Sequence, residues 1–324
     1  MRHVVRLAAL GCIGLSAPAN AVIVGAAPDS PAAHVDPNLT TSPYGGVVGI
    51  NVAGIGPASG VLLKTSDPTH SYVLTAAHIV DPNRSGTVAP AANVTVHVNH
   101  SGNNSTVLGV SAIHVNPAWY QGPTRFNDDL VVLQLNGVVP AGVPTYDLYR
   151  VLTTAVSPVQ TITIVGYGES GDGVNGKTID NGVNVKRTGQ NRADAVGLDD
   201  DDGGVHYEVY QFDFDGPSGN GPQGGPTLGN AIEVGFGIGD SGGPAFITGP
   251  GGQLLVYGIN TAAGNSPQGN FPLFGSVGGG QLVAAYQSFI DQHAVPEPGS
   301  LALVGLTAIG LLARRRRSNV RRFV

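Results

Sequence analysis

The chain has 324 residues, of which 12% are charged and 49 are glycine, and its formal net charge is −6. This length fits one large domain or two small ones, with ample apolar sequence for a core. Residues 22–295, which remain when two unusual ends are set aside, hold 8 basic and 21 acidic residues, a net charge of −13. This argues against a nucleic-acid partner, because binding to phosphate groups needs clustered Lys and Arg.

The first 21 residues predict a secretory signal peptide. A basic start at 1–6 precedes a short apolar run at 7–17, and the small residues at 19–21 predict cleavage by signal peptidase after Ala21. The alternative, a buried N-terminal helix, does not account for the basic start or the cleavage site. The single cysteine, Cys12, lies inside this segment, so the exported part must be held by core packing and turns without disulfides.

Between the ends, short runs rich in Val and Ile are bounded by Gly, Pro, Asn or Asp, which is typical of β-strands. They lie at 46–52, 60–63, 72–75, 94–98, 106–115, 129–135, 161–166, 208–214, 244–247 and 254–260. The pattern predicts an all-β sandwich or a pair of barrels, with the less regular segment 136–160 crossing between two halves. One helix is predicted over 281–293, from the three-to-four spacing of Leu282, Ala285, Tyr286 and Phe289.

Three segments are expected to be loops. Residues 169–176 and 216–225 are rich in glycine, and four aspartates at 199–202 form an acidic turn. Carboxylates of this kind can bind Ca²⁺, but no EF-hand spacing is present. A solvated loop is therefore the better interpretation, and we predict no metal site and no other cofactor.

Three short motifs carry the chemistry, in the order His, Asp, Ser: TAAH at 75–78, DDL at 128–130 and GDSGGP at 239–244. A serine hydroxyl is a weak nucleophile that needs a base within hydrogen-bond reach, and the base needs an orienting group. The pattern predicts a hydrolase in which Ser241 attacks, His78 is the base and Asp129 orients it. Alone, His78 could equally be a core histidine and 239–244 a glycine-rich turn; the three motifs together argue against both.

These motifs resemble those of trypsin- and chymotrypsin-like serine proteases. Residues 73–78, 127–133 and 239–244 are similar to the histidine, aspartate and serine signatures of that family, and 113–120 and 255–261 resemble neighbouring stretches. The resemblance covers roughly 22–293. It implies two six-stranded antiparallel barrels with a C-terminal helix, in a protease domain at 22–294 with barrel one at about 22–145 and barrel two at about 155–285.

The resemblance also assigns roles around the nucleophile. Asp128 and Asp129 compete to orient His78, since strand alternation places them on opposite faces, and the family pattern favours Asp129. The backbone N–H groups of Gly239 and Ser241 would stabilise the oxyanion. Loss of one such donor typically costs about 10²–10³ in rate.

Primary specificity is expected to depend on four residues. In the family, the residue six positions before the nucleophile, here Gly235, lies at the floor of the primary pocket. An acidic residue there would imply cleavage after Arg or Lys, and it is missing. Thr261, Ala262 and Ala263 would line the walls, with Thr261 where the family usually has a serine that contacts the aspartate. We therefore expect apolar or uncharged residues, rather than basic ones, before the scissile bond.

Residues 23–26 (IVGA) resemble the Ile-Val-Gly-Gly start of activated family members. There the new amino group enters the fold and pairs with the aspartate before the nucleophile, here Asp240. Such a buried ion pair is useful only if both members are present. Our hypothesis is that export, or removal of Val22, creates the activating terminus at Ile23; the alternative is a first β-strand with chance similarity.

The C-terminus carries a second signal. A Pro-Glu-Pro motif at 296–298 leads into an apolar segment at 299–313, followed by arginines at 314–317. As a helix the segment would be about 22 Å long, short for a hydrocarbon core of about 30 Å, with the basic tail in the cytoplasm. Residues 295–324 resemble the PEP-CTERM sorting signal of Gram-negative bacteria. This implies an exosortase-type partner, cleavage near 296–298 and delivery to the cell surface or extracellular matrix; the alternative is a plain anchor.

Together these features predict an exported serine endopeptidase that cleaves protein or peptide substrates through an acyl-enzyme. Two other functions stay open. One is a surface or matrix protein that keeps the fold for binding, which the presence of all three motif residues disfavours. The other is an esterase, since the same three residues could hydrolyse non-peptide substrates.

Overall fold

A computed structural model describes residues 22–121, 128–153, 160–180, 182–197, 206–219, 221–224, 226–265 and 271–294. The first eight strands are β1 Ile23–Val24, β2 Val35–Asp36, β3 Val47–Val52, β4 Gly56–Leu62, β5 Tyr72–Thr75, β6 Val94–Val98, β7 Thr106–Val115 and β8 Val131–Leu135. The next ten are β9 Asp147–Leu148, β10 Gln160–Gly166, β11 Ser170–Asp172, β12 Gly176–Ile179, β13 Lys186–Ala193, β14 Ala195–Gly197, β15 Val209–Asp213, β16 Pro244–Thr248, β17 Leu254–Gly264 and β18 Val277–Leu282. Three 3₁₀ helices, Ala77–Ile79, Ala91–Asn93 and Pro117–Tyr120, and the α-helix α1, Gln287–Ala294, complete the described elements.

Strands β3 to β8 form a closed six-stranded barrel in the order β3-β4-β5-β8-β7-β6. Val and Leu side chains from all six strands fill its interior, together with the buried Trp119. In β6, buried and half-buried residues alternate, as expected for a strand with one face on a core. The barrel predicted for the first half is therefore confirmed.

The second half differs from the prediction of two six-stranded barrels. Its strands form a nine-stranded sheet in the order β14-β15-β18-β17-β16-β10-β13-β2, with β9 pairing on β17. Where β13 approaches β15, the side chain of Asn191 donates to the carbonyl of Asp213 at 2.8 Å. A closed barrel would need backbone pairing between these two strands, and only this side-chain bond is found there. A second closed barrel is therefore not shown in the described part of the chain.

The N-terminal residues pack with the second half. β1 pairs with β11 in parallel, and β2 pairs with β13, while the crossing strand β9 joins β17. The six strands of the closed barrel accordingly span only 47–135, within the predicted range of 22–145. A shared apolar cluster holds the two halves together, with Leu74 and Leu130 from the barrel against Phe246 and Ile259 from the sheet.

Each of the ten predicted strands overlaps an observed strand, but the predicted helix starts too early. Helix α1 begins at Gln287, because Gln281 and Leu282 belong to β18 and pair with β15 and β17. Among the described residues, no helix is long and apolar enough to cross a membrane. The predicted span at 299–313 and the predicted signal peptide at 1–21 lie outside the described residues.

Candidate active site

His78 and Asp129 are brought together by two adjacent barrel strands. His78 lies in the short helix that follows β5, and Asp129 lies just before β8. Because β5 and β8 pair antiparallel, with Thr75 opposite Val131, the segments at this end of the two strands are neighbours. The barrel register therefore places the two side chains side by side, although 51 positions separate them in sequence.

The contact between them is short and double. His78 Nδ1 lies 2.5 Å from Asp129 Oδ2, and the backbone nitrogen of His78 donates to Asp129 Oδ1 at 2.8 Å. Burial lowers the pKa of His78. The charge and hydrogen bond of Asp129 together raise this pKa by more than burial lowers it, so the net shift is upward. A ring that donates Nδ1–H to Asp129 keeps Nε2 unprotonated, as a base for a serine hydroxyl.

Asp128 points elsewhere. Its backbone has a φ of +58°, and its Oδ1 accepts from Asn116 Nδ2 at 3.3 Å. Asp residues tolerate this left-handed conformation better than most. Of the two aspartates that the sequence left in competition, the structure thus joins Asp129, not Asp128, to His78.

The loop that carries Ser241 lies between the two halves and needs its glycines. Gly242 has a φ of +80°, and a Cβ there would collide with the side-chain oxygen of Thr75 and the carbonyl of Ser59. Gly239 has a φ of +93°. Within the described structure, neither the Gly239 nor the Ser241 nitrogen donates a hydrogen bond. Two N–H groups are thus left for an oxyanion, the role that the sequence predicted for them.

Ser59, on barrel strand β4, holds this loop from the other side. Its backbone nitrogen donates to the Ser241 carbonyl at 2.9 Å, and its hydroxyl donates to the Gly239 carbonyl at 2.8 Å. The same hydroxyl accepts from the Tyr167 nitrogen at 2.9 Å. Ser59 is not predictable from the sequence, because a lone serine in a strand carries no signal of a partner 180 positions away.

Asp240 is buried under the same loop. Its carboxylate accepts from the nitrogens of Gly168, at 3.1 Å, and Gly237, at 2.8 Å. Burial raises the pKa of Asp240 to about 7, against the lowering effects of these two bonds and of the Arg187 charge. Ile23, its predicted activation partner, donates its backbone nitrogen to the Gly235 carbonyl at 3.1 Å. The pairing of Ile23 with Asp240 therefore stays a prediction for a processed N-terminus.

The predicted pocket residues lie on two segments. Gly235 forms a two-bond bridge with Ile23, and a Cβ at Gly235 would come within 2.9 Å of the Phe214 ring, which leaves little room for a longer side chain. Ala262 and Ala263 on β17 lie opposite the glycines 279 and 278. Their role as pocket walls stays a prediction.

Thr261 lies at a bulge in β17, where its side-chain oxygen accepts from Gln281 Nε2 at 3.4 Å. Within the described part of the chain no hydrogen bond joins Thr261 to Asp129, and the contact that the resemblance implied stays a prediction.

The described residues contain no group of three or more His, Cys, Asp or Glu side chains placed to hold a metal ion. The acidic turn at 199–202, which raised the question of calcium, lies outside the described residues.

Comparison with known proteins gives two family matches. A family model described as Trypsin matches residues 53–277, and a model described as PEP-CTERM protein-sorting motif matches residues 294–317. A solved structure of Glu endopeptidase in complex with MPD is similar to this chain, with 15% identity and a TM-score of 0.49 over 78% of this chain and 92% of that one. A search of curated proteins finds no match.

Proposed function

The chain belongs to the trypsin family, and on this premise we propose that it is an exported serine endopeptidase with Ser241, His78 and Asp129 as its catalytic residues. The short bond between His78 Nδ1 and Asp129 Oδ2 carries the proposal, since it orients the ring as a serine hydrolase requires. Two features of the nucleophile loop support it. The N–H groups of Gly239 and Ser241 donate no hydrogen bond within the described structure, and Ser59 binds the carbonyls of the same two residues.

In the proposed reaction, His78 Nε2 takes the proton of the Ser241 hydroxyl as its oxygen attacks the scissile carbonyl. The N–H groups of Gly239 and Ser241 stabilise the resulting oxyanion. His78 then gives its proton to the leaving amine as the C–N bond breaks, which leaves an acyl-enzyme. Water, deprotonated by His78, attacks the ester, and the proton returns to Ser241 as the carboxylic acid leaves.

The sorting motif indicates an exported protein that is processed at its C-terminus. We further propose that signal peptidase cleaves after Ala21 and that an exosortase-type enzyme cleaves near 296–298. The segment 299–313 would anchor the protein transiently, and the protease would then reach the cell surface or extracellular matrix. Intact-mass analysis of the protein from its native cell envelope tests both sites.

The test of the proposed activity is Ser241→Ala. We expect it to abolish labelling by a fluorophosphonate and to lower the rate of casein cleavage by about 10⁴–10⁶. Ser101→Ala, in an exposed loop of the barrel, is the control and should keep both activities. If a folded wild-type protein with a processed N-terminus neither labels nor cleaves, the proposal is wrong and a binding role on the same fold becomes the better explanation.

A further inference from the structure

Asn260 on β17 has an unusual side chain. It is fully buried, and its Oδ1 accepts from the Tyr210 hydroxyl at 2.6 Å. Its Nδ2, in contrast, has no hydrogen-bond partner among the described residues. Buried amide donors are rarely left unpaired, and each such case calls for an explanation. Here the unpaired group is a donor with up to two hydrogens to give.

This side chain belongs to the nucleophile's immediate surroundings. The Asn260 carbonyl accepts from the Gly242 nitrogen at 2.7 Å, and the Asn260 nitrogen donates to the Gly243 carbonyl at 2.9 Å. Asn260 is thus fastened to the two residues that follow Ser241. It also precedes 261–263, the predicted pocket wall, and lies opposite Gly280, which adds no side chain of its own. Asn260 therefore joins the nucleophile loop to the segment that the resemblance assigns to the wall of the primary pocket.

The contacts of Asn260 decide what kind of group it can bind. Because the Tyr210 hydroxyl donates to Oδ1, the amide is held in one orientation with its nitrogen on the free side. Burial raises the pKa of Tyr210 well above its usual value, so the phenol remains a neutral donor. The backbone groups of Gly242 and Gly243 are neutral as well. A ligand must therefore bring an acceptor, and a buried carboxylate would lack the paired cation that it needs.

We propose that Asn260 Nδ2 donates to a neutral carbonyl oxygen in the side chain immediately before the scissile bond, so that the protease prefers Gln or Asn there. This inference rests on the proposed function, which it makes more specific. It narrows the expectation of apolar or uncharged residues to a carboxamide. An apolar side chain of similar size would leave the donor unpaired, and sites built for a hydrogen bond discriminate strongly against such analogues.

The test uses peptides that differ only in the residue before the scissile bond: Gln, Asn, Glu, Met, Leu or Lys. For the wild type we expect kcat/KM for Gln or Asn to exceed that for Met and Leu by about 10-fold or more. In Asn260→Asp, which keeps the shape but replaces the donor by a carboxyl oxygen, this preference should disappear. Tyr210→Phe is the second variant; it frees the amide to rotate and should weaken the preference even if Asn260→Asp does not fold.

Fluorophosphonate labelling separates this inference from the proposed function, because it reports Ser241 and His78 without a substrate side chain. Normal labelling with a Gln or Asn preference that is lost in the variants supports the inference. Normal labelling with equal cleavage at Leu, a preference for Glu or Lys, or a Gln preference that survives Asn260→Asp overturns it and leaves the protease intact. Failure of the wild type to label overturns the proposed function and this inference with it.

Discussion

Ser59 shows how a single residue of one half can set the geometry of a nucleophile carried by the other. Its hydroxyl fixes the Gly239 carbonyl, and its nitrogen fixes the Ser241 carbonyl, so the two predicted oxyanion donors lie on a loop held at both of these points. The hydroxyl touches no reacting atom. Its role is to position the Gly239 peptide, and small displacements of such groups are costly in rate.

We expect Ser59→Ala to lower kcat by about 10–100-fold with KM nearly unchanged, because the oxyanion interaction exists only in the transition state. A peptide boronate, which mimics the oxyanion, should lose affinity in parallel. The matched control is Ser42→Ala: Ser42 is also buried, but its hydroxyl donates to Asp36 at 2.7 Å rather than to a residue of the nucleophile loop. A similar loss of kcat in both variants would show that Ser59 acts through stability alone.

His78 gives a second prediction at this scale. The base must be unprotonated to work, and its pKa is raised above the ordinary value of about 6.5. Activity should therefore fall as the pH drops through this raised pKa, with the acid limb of kcat/KM above pH of about 6.5.

Removal of the Asp129 charge should reverse that shift. In Asp129→Asn, burial alone acts on His78, so the acid limb should move to lower pH while kcat falls by about 10⁴. Asp128→Asn, next in sequence, should leave both nearly unchanged, since Asp128 contacts Asn116. Equal effects of the two substitutions on the pH profile would contradict the assignment of Asp129.

Among the elements, the strands of the closed barrel could be predicted from the sequence pattern, whereas several strands of the second half could not. Long runs such as β7 and β17 carry enough Val and Ile to be recognised, whereas β1, β2 and β9 have two residues each and no periodicity. Of these short strands, β2 and β9 attach the N-terminal segment and the crossing segment to the nine-stranded sheet, and β1 pairs with β11 in a separate three-stranded sheet. They form because longer strands offer open edges, which only tertiary structure reveals.

The candidate site divides in the same way. His78, Asp129 and Ser241 lie in contiguous motifs that the sequence displays directly. Ser59 acts through bonds to residues far away along the chain, and its own neighbourhood in sequence is ordinary. Asn260 lies in the stretch 255–261 that resembles the family, but its bond to Tyr210 is created by strand pairing, which no local pattern indicates.

The join between β2 and β13 depends on a buried ion pair. Lys186 Nζ lies 2.9 Å from Asp36 Oδ2 and donates to the Tyr44 carbonyl at 2.8 Å. We expect Lys186→Met to lower the free energy of unfolding by about 3–5 kcal/mol, because Asp36 would remain buried without its cation. Lys64→Met breaks the exposed pair with Asp147 and should cost less than about 1 kcal/mol. Urea denaturation measures both, and equal losses would show that the buried pair has no special weight.

In the molecule as a whole, several of the acidic side chains are buried within the second half. Burial, helped by the charges of Asp213, Glu233 and Asp215, raises the pKa of Asp194 to about 7, and burial also raises the pKa values of Asp213 and Glu233. These groups therefore keep their protons to a higher pH in the folded state than in the unfolded chain, which releases them near pH 4. The contribution of Asp194 to stability is complete below pH of about 4 and is lost as the pH rises through about 7. We expect the melting temperature to fall over this pH interval, and Asp194→Asn, which stays neutral at every pH, to make the fall smaller.

Asp147→Asn, which changes an exposed carboxylate, is the control and should leave the pH dependence of the melting temperature as it is. A melting temperature that rises from pH 4 to 7, with no change in Asp194→Asn, would mean that this carboxylate is ionised in the folded protein and finds its counter-charge elsewhere.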